Sequence, residues 1–102
     1  MKPPTDFVRI LDRKRYSVKT ATLLAGDDFW DGHNFERSGR NVWLYRTPKG
    51  AYFTVQYSQW QGETDRLEPV TLDDAIELFE GPLTERRVEY AEAFPGVTVV
   101  EA

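Results

Sequence analysis

Asn41-Val42-Trp43-Leu44-Tyr45-Arg46-Thr47-Pro48-Lys49-Gly50-Ala51-Tyr52-Phe53-Thr54-Val55-Gln56-Tyr57 is the stretch that decides the fold. Two runs rich in aromatic and β-branched residues, Val42 to Thr47 and Ala51 to Tyr57, flank Pro48-Lys49-Gly50. Proline presets φ for the first corner of a type I turn, and glycine can take the left-handed conformation that closes a bulged hairpin. Val42, Leu44 and Arg46 alternate with Trp43, Tyr45 and Thr47, and Ala51, Phe53, Val55 and Tyr57 alternate with Tyr52, Thr54 and Gln56. Both faces carry aromatic residues, so the hairpin is expected inside a sheet rather than at a solvated edge.

Upstream, residues 1–6 read as a mobile lead, because Pro3 and Pro4 lack backbone donors and Thr5-Asp6 offers nothing apolar. Residues 7–102 read as one domain, in which Phe7 to Leu11 could begin the fold. A strand is expected from Tyr16 to Leu24, where Val18, Thr20 and Thr22 suit a pleated surface. Residues 26–41 form the longest candidate loop and carry Phe29, Trp30 and Phe35 among turn-forming residues.

Downstream, Thr71 is a good N-cap, with Asp74 three residues on and Asp73 near the positive end of the helix dipole. Leu72, Ala75, Ile76 and Phe79 share one helical face, and Gly81-Pro82 ends the run. A second helix is expected from Thr84 to Phe94, with Leu83 and Val88 as a hydrophobic staple and Pro95-Gly96 as its stop. Val97 to Glu101 reads as a last, sheet-pairing strand. Strands followed by helices predict an α+β fold: a small, mostly antiparallel sheet with a central hairpin and two short C-terminal helices packed on one face.

At 102 residues the chain has room for one core and little enclosed volume beside it. It contains no cysteine, which excludes a disulfide framework, a thiolate nucleophile and sulfur-rich zinc or iron–sulfur sites. No apolar run approaches the roughly 20 residues of a membrane helix, and the N-terminus lacks a signal-peptide core. A soluble, cytoplasmic protein with no membrane contact is expected.

Charge is divided along the chain. Residues 1–50 hold ten basic residues against six acids, a net of +4, whereas residues 51–102 hold three against eleven, a net of −8. The whole chain carries −4 with a pI near 5.0. That balance disfavours non-specific nucleic-acid binding, which needs concentrated Lys and Arg. Arg9, Arg13, Lys14, Arg15 and Lys19 form a local basic segment that could track phosphates, although cations near a sheet edge also block aggregation.

The single histidine, His33, lies among Asp27, Asp28, Asp31 and Glu36, the nearest approach to a metal or acid–base cluster. Turn chemistry alone also selects aspartates there, and the spacing matches no established ligand pattern. Ser17, Ser38 and Ser58 lack a nucleophile-elbow context, and Gly26, Gly32 and Gly39 are too widely spaced to cradle a phosphate. No cofactor or bound metal is therefore expected. Trp30 and Trp60 stand in polar surroundings, and tryptophan often anchors interfaces. With His33, Arg37 and Arg40 they are the candidate partner-binding residues, weighed against a satellite core beneath the loop.

Three segments carry a family resemblance: Tyr16-Ser17-Val18-Lys19-Thr20-Ala21, Leu44-Tyr45-Arg46-Thr47-Pro48-Lys49-Gly50-Ala51-Tyr52-Phe53, and Glu68-Pro69-Val70-Thr71-Leu72-Asp73-Asp74-Ala75. Their order resembles a family of small bacterial proteins of unknown function with a Thr-Ala strand, a Leu-Tyr-Arg-Thr hairpin and a short alanine-containing helix. The resemblance spans about residues 16–80 and implies no activity and no catalytic residue. Similar short proteins often accompany phage or mobile elements, which by analogy suggests a regulatory or inhibitory binding role. The expectation is a protein-binding or regulatory module without catalytic activity, in which a homo-oligomer is also compatible. The alternatives are a metal-binding protein or enzyme using the His33 loop, and a nucleic-acid binder using residues 9–19.

Overall fold

The computed structural model describes residues 6–26, 40–58, 66–81, 83 and 85–102; of residues 40, 41, 57 and 58 it describes the backbone alone. In chain order the elements are β1 (Val8–Leu11), β2 (Lys14–Ser17), β3 (Thr22–Gly26), β4 (Arg40–Arg46), β5 (Tyr52–Ser58), β6 (Arg66–Val70), α1 (Leu72–Glu80), β7 (Glu85–Arg86) and α2 (Tyr90–Ala93). The strands form a five-stranded sheet in the order β6-β5-β4-β3-β7, all antiparallel, and a separate β1-β2 ribbon. An α+β architecture dominated by its sheet results.

The β4-β5 hairpin lies at the centre of the sheet, as its two apolar faces require. Its strands pair from Arg40↔Ser58 to Arg46↔Tyr52. Thr47 N–H donates to the Ala51 carbonyl at 2.8 Å, Gly50 N–H donates to the Thr47 carbonyl at 2.9 Å, and Gly50 has φ +90°. The turn therefore has the proline corner and left-handed glycine that the sequence specifies.

Alternation along the hairpin feeds two cores. On one face Trp43, Tyr45, Phe53 and Val55 pack with Leu67 and with Tyr16 and Val18 from the ribbon side. The Tyr45 and Phe53 rings stack at 5.2 Å between centroids, and Tyr16 meets Phe53 edge-on at 5.6 Å. On the other face Leu44 and Tyr52 pack with Ala75 and Phe79 of α1, Leu83, and Ala93 and Phe94 at α2. The sheet is thus a middle layer between ribbon and helices. A fully buried Phe or Leu contributes about 1.5–3 kcal/mol relative to exposure, so both layers are held mainly by these side chains.

Several local expectations change. The single strand over Tyr16 to Leu24 is two, β2 and β3, because the chain turns at Ser17. Its carbonyl accepts from Ala21 N–H at 3.1 Å and Thr20 Oγ1 at 3.4 Å, and its Oγ accepts from Lys19 N–H at 3.3 Å, which competes with continued pairing. Thr71 does cap α1, its Oγ1 accepting from Asp74 N–H at 3.1 Å. The second helix is only Tyr90–Ala93, and Thr84 lies outside the described residues. Residues 85–86 pair with Ala25 and Gly26 instead, and Arg87 N–H donates to the Leu24 carbonyl at 2.9 Å. Covering the β3 edge satisfies backbone groups that a longer helix would leave open. Val97 to Glu101 forms no strand.

Candidate functional site

Four strand ends meet at one end of the sheet. Gly26, the last residue of β3, pairs with Trp43; Arg40, the first of β4, pairs with Ser58, the last of β5; and Arg66, the first of β6, pairs with Gln56. Segments 27–39 and 59–65 therefore start and finish at the same end of the sheet. Trp30, His33 and Arg37 belong to the first segment and Trp60 to the second; all four lie outside the described residues, as do Asp27, Asp28, Asp31 and Glu36. Arg40 opens β4, where its backbone position is fixed. The topology thus brings together the anchors of the two segments that carry the candidate residues.

The last residue of β3 makes a close approach to β4. A β-bulge at Leu24 places both Leu24 and Ala25 in the helix-side core, then returns Gly26 opposite Trp43. A Cβ on Gly26 would lie 2.4 Å from Trp43 Cδ1 and 2.9 Å from Nε1, so only glycine lets the buried indole lie against this strand.

Charge follows the layers. In the ribbon and its following turn, Arg9, Arg13, Lys14, Arg15 and Lys19 are all exposed against Asp6 and Asp12, a net of +3. From residue 72 onward Asp73, Asp74, Glu77, Glu80, Glu85, Glu89, Glu92 and Glu101 face only Arg86 and Arg87, a net of −6. The ribbon and the helices cover opposite sides of the sheet, so among the described residues the ribbon side carries an excess of basic groups and the helix side an excess of acidic ones.

An open groove of about 710 Å³ lies in the acidic part, between the end of α1 and the start of α2. Arg86 Nε donates to the Phe79 carbonyl at 2.8 Å and Nη2 to the Glu80 carbonyl at 3.3 Å, with the guanidinium 5.5 Å from the Phe79 ring centroid. Helix α1 has no basic residue in its last turn, so Arg86 supplies the cation and donors its C-terminus needs. Tyr90 Oη donates to Glu80 Oε2 at 2.8 Å. That hydrogen bond, with smaller contributions from desolvation and the Glu80 charge, raises the phenol pKa above its ordinary 10.0. Through these contacts Arg86 and Tyr90 tie the end of α1 to the segment that leads into α2. Neither role was visible from spacing; the signal was an acidic helix with no cation of its own and Arg86 six residues beyond it.

Among the described residues there is no group of three or more His, Asp or Glu side chains placed to hold a metal ion, and no helix is long and apolar enough to cross a membrane. Comparison with protein-family models, with curated proteins and with solved structures found no match.

Proposed function

We propose that the chain is a cytoplasmic binding module that engages another protein without catalysing a reaction. The observation that carries this reading is the separation of charge onto opposite sides of one sheet. A small domain with a basic ribbon face and an acidic helix face has a dipolar field that orients a charged partner before contact, raising the encounter rate more than the final affinity. The contact itself is assigned to the end of the sheet where segments 27–39 and 59–65 begin and end. There Trp30 and Trp60 serve as apolar anchors, and His33, Arg37 and Arg40 meet acidic groups. The resemblance to small bacterial proteins, and through it to those accompanying mobile elements, agrees with a regulatory role.

The test is recovery of the tagged protein from its native lysate after crosslinking, with a nuclease-treated sample in parallel. A stoichiometric protein that survives nuclease, and that Trp30→Ala with Trp60→Ala releases while the fold is kept, is the expected result. Retention unchanged by both substitutions overturns the proposed contact. A second reading has one observation in its favour, the five exposed cations collected on the ribbon and its turn. Nucleic-acid binding there predicts retention that disappears with nuclease and weakens steeply with salt.

A further inference from the structure

Sheet edges are where this fold leaves backbone groups open, and among the described strands the edges of β6, β7 and β2 are protected. The β6 edge carries Pro69, which has no N–H to offer, and β7 is two residues long. On β2 the outward positions are Arg15, a cation, and Ser17, whose carbonyl is occupied by Ala21 N–H and Thr20 Oγ1.

Among the described residues, the outer edge of β1 has no such protection. A two-residue connection, Asp12-Arg13, closes the ribbon on the pair Leu11↔Lys14. Such a hairpin closes on a hydrogen-bonded pair, and the bond from Val18 N–H to the Phe7 carbonyl at 3.0 Å has the same parity. Val8 and Ile10 therefore turn their N–H and C=O groups away from β2, and no described strand lies on that side. Their side chains are 42% and 69% exposed.

The other exposed apolar pair of note is Val99 and Val100, 72% and 79% exposed in a segment that follows Gly96 and pairs with no described strand. Val97-Thr98-Val99-Val100-Glu101 is rich in β-branched residues and, extended, spans roughly 16 Å at about 3.3 Å per residue, enough to match the four residues of β1. It ends in Glu101 and belongs to the part of the chain with net −6, whereas β1 belongs to the ribbon with net +3.

We propose that residues 97–101 of one copy add as a strand to the open edge of β1 in a second copy. Strand addition would satisfy the outward backbone groups of Val8 and Ile10, set one of Val99 and Val100 on the face that carries the Val8 and Ile10 side chains, and bring Glu101 to a cationic ribbon. Pairing of β1 with β1 is disfavoured, because the register that opposes Val8 to Ile10 places Arg9 against Arg9. Nucleic acid would use the cations and leave the apolar pair and the backbone groups open. The proposal concerns self-association and stands apart from the foreign partner above.

Sedimentation velocity over a concentration series tests it with two variants. Ile10→Pro removes an outward N–H without breaking a bond to β2, and so disables the accepting edge. Val99→Asp with Val100→Asp disables the donating segment at exposed positions. The full chain is expected to associate with rising concentration, and each variant to lose at least tenfold in association constant. Mixing the two variants should restore a one-to-one complex, because each retains the half the other lacks. In the full chain, exchange of the Val8 and Ile10 amides should slow as concentration rises, a reading that needs no variant. A monomer at every concentration, association undiminished in both variants, or failure of the mixture to form a complex would each overturn the proposal.

Discussion

Replacing Gly26 with alanine should destabilise the protein by about 2 kcal/mol, and the structure supplies both terms of that figure. The new Cβ would sit 2.4 Å from Trp43 Cδ1, 2.9 Å from Nε1 and 3.2 Å from Cγ, against an indole that is fully buried among Tyr45, Phe53 and Val55. These are atoms close to the Trp43 backbone, not the far end of a flexible chain, so strand or ring must shift. Overpacking of a filled core costs about 1–3 kcal/mol, and this geometry belongs at the upper end. Against it stands a gain of about 0.5–1 kcal/mol, because alanine loses less backbone freedom than glycine in a strand. The net loss of about 2 kcal/mol corresponds to a fall of about 8–16 °C in Tm for a domain of this size. Urea unfolding followed by far-UV circular dichroism measures it, with near-UV dichroism reporting on Trp43. A Gly26→Ala protein within about 0.5 kcal/mol of the parent would refute the claim that the indole excludes a side chain here.

Three further outcomes follow from particular contacts. Tyr52→Phe removes the buried hydrogen bond from Tyr52 Oη to the Ala93 carbonyl at 2.8 Å and should cost about 1–2 kcal/mol in urea unfolding, since it leaves that carbonyl without its donor. Arg13→Gly should stabilise by up to about 1 kcal/mol, because Asp12 and Arg13 hold φ values of 52° and 63° in a turn that favours glycine; a lower Tm would count against the turn assignment. Tyr90 should ionise above 10.0 in an absorbance titration, and Glu80→Gln should return it toward that value. Because the folded-state pKa is raised, the contribution of this bond is complete below the unfolded value and disappears as pH rises through the folded one. Tyr90→Phe should remove that alkaline loss.

The hairpin and α1 were legible because their signals are local: Pro48 and Gly50 fix a turn, aromatic residues alternate on both sides of it, and the Thr71 hydroxyl caps the helix that follows. The missed elements depend on partners distant in sequence. Strand β6 contains Glu68-Pro69, a pair that argues against a strand until its place at a sheet edge is known. The turn at Asp12-Arg13 has no glycine to announce it, and β7 exists because β3 needs an edge partner, overriding the helical spacing of Leu83 and Val88. The charge division was plain in the sequence, but only the layering of ribbon, sheet and helices turns it into two faces. Of the candidate contact residues, only Arg40 lies among the described residues, and the anchors of the others could be brought together only by the strand order.

Hydrogen exchange of the chain alone and bound to its recovered protein partner tests the central claim most directly. The account predicts slowed exchange in residues 27–41 and 59–65, with the helix-side groove around Arg86 and Tyr90 unchanged. Protection confined to α1 and α2, or no difference between the two states, would contradict it.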